Sequence, residues 1–587
     1  MNQIIEKGIE TTSSILLESM EMEAGGGCHW EGRLSDSALS TAVAVLALSL
    51  ADAQRCEGLI RNGIEWLAKT QNADGGWGDT PKSQSNLSTS LLSWCALGVT
   101  PNVSASMEAE RRVDGYLKRQ AGGIAPDVLA RQVKRQYGED RTFSAPILAT
   151  CALAGRCGEG PEAWKDVPQL PFELSCLPRE LFHLLRLPVV SYAIPALIAV
   201  GLVVFRRKGQ RGPLGFLRRA SVSKSLRILS QCQPENGGFL EATPLTSFVV
   251  MSLCAAGERD HEVVEKGVSF LEKSVRIGGS WPIDTHLATW VTTNAVTALS
   301  SFEGDLSFSA SQREGLLEWI LTQQFTATHP FTGAAPGGWA WTPLAGGVPD
   351  ADDTAGALVA IAELGCGQDR SIAAAANGVR WLVELQNGDG GFPTFCRGWG
   401  KLPFDRSCPD ITAHVVKAFR IWLPHLSPPL ASSAKGALLR AVHYLKESQE
   451  RDGSWLPLWF GNQETTNHHN PTYGTAKVVQ SCIELPGAGR GLSFLAGIQN
   501  RDGGWGGGAG ASSSIEETAL ALQALSLERR TYASSIESGI RWLRDATDRF
   551  QRFPAAPIGL YFSSLWYAEE LYPVIFTLQA LASLAKA

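Results

Sequence analysis

One phrase recurs along the chain and constrains its fold more than any other feature. It consists of an aromatic residue and Leu, three further residues, a Gln, three more residues, and a Gly-rich turn closed by Trp or Phe. The clearest copies lie at residues 66–77, 381–392, 444–455 and 494–505. A phrase repeated in this way marks one supersecondary unit, which buries its apolar face only against neighbouring units.

Between the phrases lie segments that are apolar almost all round and have Ser or Thr near their start, as in DDTAGALVAIAEL and SIEETALALQALSL. These segments predict buried inner helices, whereas the segments that lead into the Gly turn bear Lys, Arg and Glu and predict outer helices. The fold class is therefore all-α, with two α/α toroid (barrel) domains built from helix-pair repeats. We place the N-terminal barrel at residues 25–265, and the C-terminal barrel at residues 1–24 plus 275–587. Most Gln/Trp pairs are assigned to stability, since they can brace one helix end against the next turn.

Charge and cysteine usage narrow the class of protein. The net charge is −6 and only 19% of residues are charged, which argues against a nucleic-acid partner, because such binding needs dense Lys/Arg surfaces. The 12 cysteines form no Cys-x-x-Cys pair, and the chain opens with MNQIIEKGIETTSS rather than with a basic and then apolar leader. Reduced thiols and a cytoplasmic location are expected.

The segment from Pro188 to Phe205 contains 18 residues without a charge, and basic residues follow it. A spanning helix needs about 20 apolar residues, and Pro195 interrupts this one, so the pattern favours a monotopic contact with one membrane leaflet. The expected membrane-contact region is 188–224, whose basic part suits anionic head groups. A buried helix followed by a solvated loop remains the alternative.

Three carboxylates, Asp350, Asp352 and Asp353, open one otherwise apolar inner segment. Helix capping explains one of them well and three poorly. Crowded carboxylates do not all ionise cheaply, so one is expected to keep a proton and to be a candidate general acid. A second inner segment begins with Asp410 and His414, four residues apart and hence on one helical face.

These two acidic motifs, together with the Gln/Gly/Trp phrases, resemble the squalene-hopene cyclase family of protonation-initiated, class II terpene cyclases. The resemblance implies that Asp352 protonates the terminal alkene of a linear polyprene and that His414 hydrogen-bonds Asp352. It also implies that Asp350 and Asp353 stay anionic and stabilise the first carbocation, and that Asp410 orients His414. No cofactor or metal is implied. The implied partners are a hydrophobic polyprenyl substrate and a membrane surface, and a homodimer is allowed.

Cationic cyclisation needs a dry cavity with aromatic walls, because ring faces attract cations without accepting a proton. By the same resemblance, aromatic residues at several positions line that cavity: Trp341, Phe395, Trp459, Tyr473, Tyr561 and Phe562. The chain departs from the family at Ile283, where Trp is usual, and at Tyr192, in a Ser-Tyr-Ala run that ordinarily contains Trp. Ser and Thr also replace glutamates in the N-terminal inner helices. The far end of the cavity is therefore expected to be rebuilt, which leaves squalene and a prenylated aromatic as alternative substrates.

Three other functions compete with this interpretation. Magnesium-dependent ionisation of a diphosphate needs Asp-Asp-x-x-Asp, and the stretch after Asp352 lacks the last Asp. A zinc-dependent prenyltransferase β-subunit would draw on His468, His469 and Cys482, whose spacing does not match that site. A non-catalytic toroidal lipid-binding module is the third alternative, and the intact acidic set argues against it. The expected location is peripheral, monotopic, on the cytoplasmic side of a membrane.

Overall fold

The computed structural model describes residues 2–98, 104–138, 141–178, 193–209, 211–302, 307–330, 332–395, 403–560 and 564–586. Its inner helices form two closed rings, in which each helix packs against the next and the last packs against the first. The first ring contains Ala38–Asp52, Leu87–Leu97, Arg141–Leu153, Ile194–Lys208 and Thr243–Ala255. The second ring contains Ala288–Leu299, Ala351–Gly365, Pro409–Trp422, Pro471–Ser481, Ile515–Leu525 and Tyr572–Lys586. The α/α barrel prediction is confirmed.

Outer helices surround the rings, and short elements join them. The outer helices are Asn2–Glu18, Glu57–Lys69, Ser104–Ala121, Pro126–Tyr137, Gly212–Cys232, Glu262–Ser274, Ala310–Thr322, Asp369–Leu385, Pro428–Glu447, Ala488–Gly497 and Ala533–Ala546. Short 3₁₀ helices lie at Gly160–Trp164, Phe172–Cys176, Phe239–Glu241, Pro403–Asp405, Leu423–His425, Thr466–His468 and Ser526–Glu528. The strands Glu21–Met22, Cys28–His29, Asp36–Ser37, Trp281–Pro282, Phe460–Gly461, Ile558–Leu560 and Leu565–Tyr567 pair antiparallel in small sheets.

The repeated phrase has the bracing role predicted for it. The side-chain amide of Gln71 donates to the carbonyl of Gly75 in its own turn at 2.8 Å and to that of Ala109 in the next outer helix at 2.9 Å. The Trp77 indole donates to the Leu67 carbonyl at 2.9 Å. The same pair of side-chain amide hydrogen bonds is made by Gln233, Gln324, Gln386, Gln449 and Gln499. The phrase therefore joins consecutive helix pairs.

Two buried apolar clusters follow the two rings. One extends from Ala38 to Trp281, and the other contains the helices from Ala288 onwards together with residues of the first helix, Asn2–Glu18. Cys28 and Trp30 also pack in the second cluster. The chain crosses between the clusters where Asp36–Ser37 pairs with Trp281–Pro282. The domain limits at residues 25, 265 and 275 remain predictions.

The segment expected to contact lipid is largely core. Its described part is the inner helix Ile194–Lys208, in which the apolar side chains from Ile198 to Phe205 are buried. The reason is that an inner helix of a closed ring has neighbours on every side. Residues 188–192 lie outside the described part of the chain. No helix in the described ranges is long and apolar enough to cross a membrane.

The basic residues in the last turn of this helix bind protein carbonyls. Arg207 donates to the carbonyl of Ala255 at 2.9 Å, and Lys208 donates to that of Val167 at 2.8 Å. Exposed apolar side chains occur instead at the start of the next helix, at Leu214, Phe216 and Leu217. The apolar surface in this region is thus displaced from the predicted run to its C-terminal side.

Candidate active site

The acidic motif forms the first turn of the inner helix Ala351–Gly365. Asp350 is the N-cap residue, and its Oδ1 accepts the backbone N–H groups of Asp352 and Asp353, both at 2.9 Å. An Asp at this position satisfies donors that have no partner inside the helix. Capping therefore accounts for Asp350, and the side chains of Asp352 and Asp353 remain for other contacts.

Asp350 and Asp353 form a buried pair. Neither Asp350 Oδ2 nor Asp353 Oδ1 accepts a hydrogen bond from an N–H group or a hydroxyl of the described residues. If Asp353 is protonated, its carboxyl can donate a hydrogen bond to Asp350. Burial raises the pKa of Asp350 to about 7, and burial together with the Asp350 charge raises the pKa of Asp353 well above its ordinary value. Burial and mutual repulsion therefore favour one shared proton on this pair, and the anionic state expected for both carboxylates remains a prediction.

Asp352 is paired with His414 from the neighbouring inner helix. Asp352 Oδ1 lies 2.7 Å from His414 Nδ1, and the side chains are 17% and 23% exposed. The ring of Trp290 meets the His414 ring edge-on, with 6.3 Å between centroids. The structure thus brings together the two residues that the sequence motifs predicted as partners.

Asp410 has a different partner from the one expected. Its carboxylate accepts a hydrogen bond from the Cys408 thiol at 2.7 Å instead of bonding His414. Both Asp410 and the cap residue Cys408 lie in the first turn of Pro409–Trp422, so the side chain reaches its own helix start. Burial, with a contribution from the Asp352 charge, raises the pKa of Asp410 to about 6. Among the described contacts Asp410 thus bonds Cys408 and not His414, and its orienting role remains a prediction.

Backbone hydrogen bonds hold two loops that bear aromatic residues against the start of the helix Ala351–Gly365. Asp350 N–H donates to the Trp339 carbonyl at 3.0 Å, and Ala351 N–H donates to the Thr394 carbonyl at 2.9 Å. The rings that follow, Trp341 and Phe395, meet edge-to-face with centroids 6.0 Å apart.

Trp459 completes this aromatic cluster. Its ring lies 5.5 Å from that of Phe395, and its indole N–H donates to the Thr394 hydroxyl. Three of the predicted cavity aromatics therefore form one cluster beside the acid motif.

The other predicted lining residues have separate positions. Tyr473 is buried, and its ring stacks on Phe460 with centroids 4.2 Å apart. Ile283 is half-buried and adjoins Asp284. Tyr192, Tyr561 and Phe562 lie outside the described residues.

Two carboxyls near the aromatic cluster, the buried Glu241 and the half-buried Asp284, were missed from the sequence. Burial and the Glu241 charge raise the pKa of Asp284 well above its ordinary value, and the Trp341 indole faces Asp284. Glu241 accepts hydrogen bonds from Gly346 N–H at 2.7 Å and from the Thr285 hydroxyl at 3.0 Å. The Asp-Thr pair after Ile283 was a usable signal for Asp284. The sequence contains no signal for Glu241, because its placement depends on a backbone φ of +54°, which a non-glycine residue rarely adopts.

Two hydroxyls of the N-terminal inner helices accept hydrogen bonds from backbone N–H groups of the protein. The Thr41 hydroxyl accepts the backbone N–H of Trp281 at 3.0 Å, and the Ser90 hydroxyl accepts that of Trp77 at 2.9 Å. The same contact recurs in the second ring, where Thr354 accepts the N–H of Trp339. Thr41 and Ser90 therefore belong to the repeat brace, and the expectation that the far end of the cavity is rebuilt remains a prediction.

A polar cavity of about 120 Å³ lies along the axis of the second ring, with Asp352 at one end. Its wall follows the inner helices for two turns beyond the acid motif and includes Asp410, His414, Lys417, Tyr473, Lys477, Gln480, Ser481, Gln523 and Gln579. The two lysines were not singled out in the sequence. A cationic residue within an otherwise apolar inner helix was the signal that could have found them.

In the described part of the chain, no cluster of three or more His, Cys, Asp or Glu side chains could hold a metal ion.

Comparison with known proteins gives two family matches. The family model described as the squalene-hopene cyclase C-terminal domain matches residues 286–585, and the model for the N-terminal domain matches residues 9–125. Among solved structures, ent-copalyl diphosphate synthase from Streptomyces platensis superposes with a TM-score of 0.62 at 19% identity, covering 99% of this chain and 100% of that one. That likeness extends over the whole fold.

Curated relatives are similar at low identity. Enfumafungin synthase efuA of Hormonema carpetanum is 26% identical over 86% of this chain and 42% of its own length. Squalene hopane cyclase afumA of Aspergillus fumigatus is 23% identical over 89% of this chain and 82% of its own. The squalene–hopene cyclase of Alicyclobacillus acidocaldarius is 25% identical over 77% of this chain and 75% of its own. The chain spans less than half the length of efuA.

Proposed function

Because the chain belongs to the squalene-hopene cyclase family, we propose that it is a class II terpene cyclase in which Asp352 protonates the terminal alkene of a linear polyprene. The observation that supports this most is the 2.7 Å contact between Asp352 and His414, separate from the proton-sharing Asp350/Asp353 pair. An Nδ1–H donated by His414 to Oδ1 stabilises the carboxylate that Asp352 becomes. The proton on the other oxygen is then given up more readily.

Protonation of the alkene leaves a tertiary cation, which successive double bonds attack until proton loss or a nucleophile ends the cascade. The cluster of Trp341, Phe395 and Trp459 lies beside the acidic helix start and offers ring faces to the first cations. Each such contact contributes on the order of 1–2 kcal/mol when water is excluded. The hydrophobic substrate class and the aromatic cluster are thus mutually consistent.

The experiment compares wild-type protein with the Asp352→Asn variant on two substrates, squalene and a long-prenyl aromatic acid, with products identified by mass spectrometry. Asn keeps the shape and removes the acidic proton, so turnover should fall by roughly 10²-fold or more. Asp369→Asn, at an exposed position on an outer helix, is the matched control and should keep full turnover. An Asp352→Asn variant with more than about a tenth of wild-type turnover would contradict the role.

We also propose that the protein binds one leaflet on the cytoplasmic side of a membrane through the exposed side chains of Leu214, Phe216 and Leu217. Phe216 is 71% exposed. The helix that begins there ends at Cys232, which packs with Trp341 and Phe395. The homodimer remains a prediction that sedimentation velocity can test.

A further inference from the structure

Lys477 is a half-buried cation on the wall of the axial cavity, one turn after Tyr473 on the inner helix Pro471–Ser481. Its ammonium nitrogen lies 5.5 Å from the centroid of the Tyr473 ring and 5.1 Å from that of Phe576. Ring faces hold a cation without taking its proton. Within the described residues, no carboxylate lies within 4.0 Å of this nitrogen. Lys477 is thus placed as a cation without a direct ion-pair partner.

The groups that face Lys477 come from every helix packed around the cavity. Asp352 lies on the inner helix Ala351–Gly365, and Asp410, His414 and Lys417 lie on Pro409–Trp422, while Gln523 and Gln579 contribute neutral amides. The negative charges that favour the ammonium are those of Asp352 and Asp410, whereas the charge of Lys417 opposes it. Burial outweighs these charges and lowers the pKa of Lys477 to about 8. A substantial ammonium population therefore persists at neutral pH.

We infer that the Lys477 ammonium, on the wall of the same cavity, stabilises the Asp352 carboxylate left after proton transfer. This rests on the proposed function, since it assigns a purpose to Lys477 only if Asp352 is the acid. No bond forms or breaks at Lys477: the proton passes from Asp352 to the alkene, and the ammonium keeps its own. Lys477 acts across the cavity that Asp352 also lines, and is a positioning residue rather than a catalytic one.

The first test measures the coupling without a substrate. Lysine Cε signals are followed by NMR during a pH titration of the intact protein labelled with [¹³Cε]lysine, and Lys477→Arg identifies the Lys477 signal by its loss. Because coupling between two charges is reciprocal, Asp352→Asn should lower the pKa of Lys477 below about 8. Lys417→Met should raise it, since that change removes a repelling charge. An unchanged Lys477 pKa in Asp352→Asn would overturn the inference.

The second test uses turnover of squalene or the prenylated aromatic acid by Lys477→Met. At pH 6 the wild-type ammonium is charged, so the variant should be slower by roughly tenfold. Above pH 9 wild-type Lys477 is neutral, so the ratio of wild-type to variant turnover should approach one. A role in packing alone would give the same ratio at every pH, and that result would overturn the inference.

The conservative change separates this inference from the proposed function. Lys477→Arg keeps its charge at all pH values tested, so it should match the wild type at pH 6 and exceed it above pH 9. If Asp352→Asn retained turnover while the pH-dependent ratio was present, the proposed function would fail and the charge effect would stand. If Asp352→Asn were inactive and the ratio of wild-type to Lys477→Met turnover were the same at every pH, only the role of Lys477 would fail.

Discussion

Three neighbouring aspartates have three different environments, although their side chains are identical. Asp350 caps its helix, Asp353 shares a proton with Asp350, and Asp352 meets His414 at 2.7 Å. The sequence could predict the motif and the His414 contact, because adjacent inner helices start side by side. It could not predict the proton sharing or the Asp410–Cys408 contact, because both depend on where side chains turn within a single buried helix start.

Glu516, at the start of the inner helix Ile515–Leu525, makes stability depend on pH. Burial and the charge of Glu517 raise the pKa of Glu516 to about 8. A carboxyl whose pKa is raised by folding favours the folded state while it is protonated, and that stability is lost as pH rises toward the folded value. Between pH 5 and pH 8 this group alone should reduce the free energy of unfolding by on the order of 3 kcal/mol.

Glu516→Gln should remove that part of the pH dependence and leave a variant more stable than the wild type at pH 8. Urea unfolding at about pH 5, 6.5 and 8 measures the free energy of unfolding of both proteins and hence its dependence on pH. Glu528→Gln, at an exposed position, should keep the wild-type slope. A Glu516→Gln variant with the wild-type slope would show that the carboxyl is not protonated in the folded protein.

At the scale of the helix pair, the Gln brace was predictable because its residues recur at fixed spacing. The structure adds that an inner-helix hydroxyl accepts the N–H of the turn aromatic, as Thr518 does for Trp505. Over the described helix Ile194–Lys208 the uncharged run packs inside the first ring, since such a run fits a ring interior as well as a membrane surface, and lipid contact by the region 188–224 stays a prediction. Hydropathy alone does not separate the two environments, because both exclude water.

Gln386 offers the sharpest test of the brace. It is 3% exposed, and its amide donates to the carbonyls of Gly390 and Ala437, both at 2.8 Å. Gln386→Met keeps the volume and leaves both buried carbonyls without this donor, which should cost roughly 2–4 kcal/mol of unfolding free energy. Chemical denaturation measures the change, and Gln551→Met, at an exposed position, should cost almost nothing. A loss under about 0.5 kcal/mol would contradict the bracing role.

At the scale of the whole molecule, the two rings and their helix pairs were predictable, since apolar segments that repeat must pack on one another. Several residues that face the ring axis were not, because a closed ring brings together side chains far apart in sequence. Lys477 and Gln579 line one cavity only because the second ring closes. Glu241 likewise meets Thr285 only where the chain crosses between the two clusters.

The proposed membrane contact is a property of the whole surface. Phe216→Asp combined with Leu217→Asp places two charges where apolar side chains would enter lipid, and should abolish sedimentation with anionic phosphatidylglycerol/phosphatidylcholine vesicles. Leu439→Asp changes a comparably exposed leucine, 62% exposed, on an outer helix of the second ring and should leave binding intact. Equal sedimentation of the double variant and the wild type, both folded by circular dichroism, would contradict the contact.

The central claim is that Asp352 adds a solvent-exchangeable proton to a terminal alkene. The most direct measurement is cyclisation in D₂O, with the position of deuterium in the product read by NMR and mass spectrometry. Because the Asp352 carboxyl exchanges with solvent, the product should contain one deuterium on the first-ring carbon that was the alkene CH, next to the dimethyl-bearing carbon. Product formed in H₂O and then kept with the enzyme in D₂O should contain none there. A product cyclised in D₂O without deuterium at that carbon would contradict initiation by protonation.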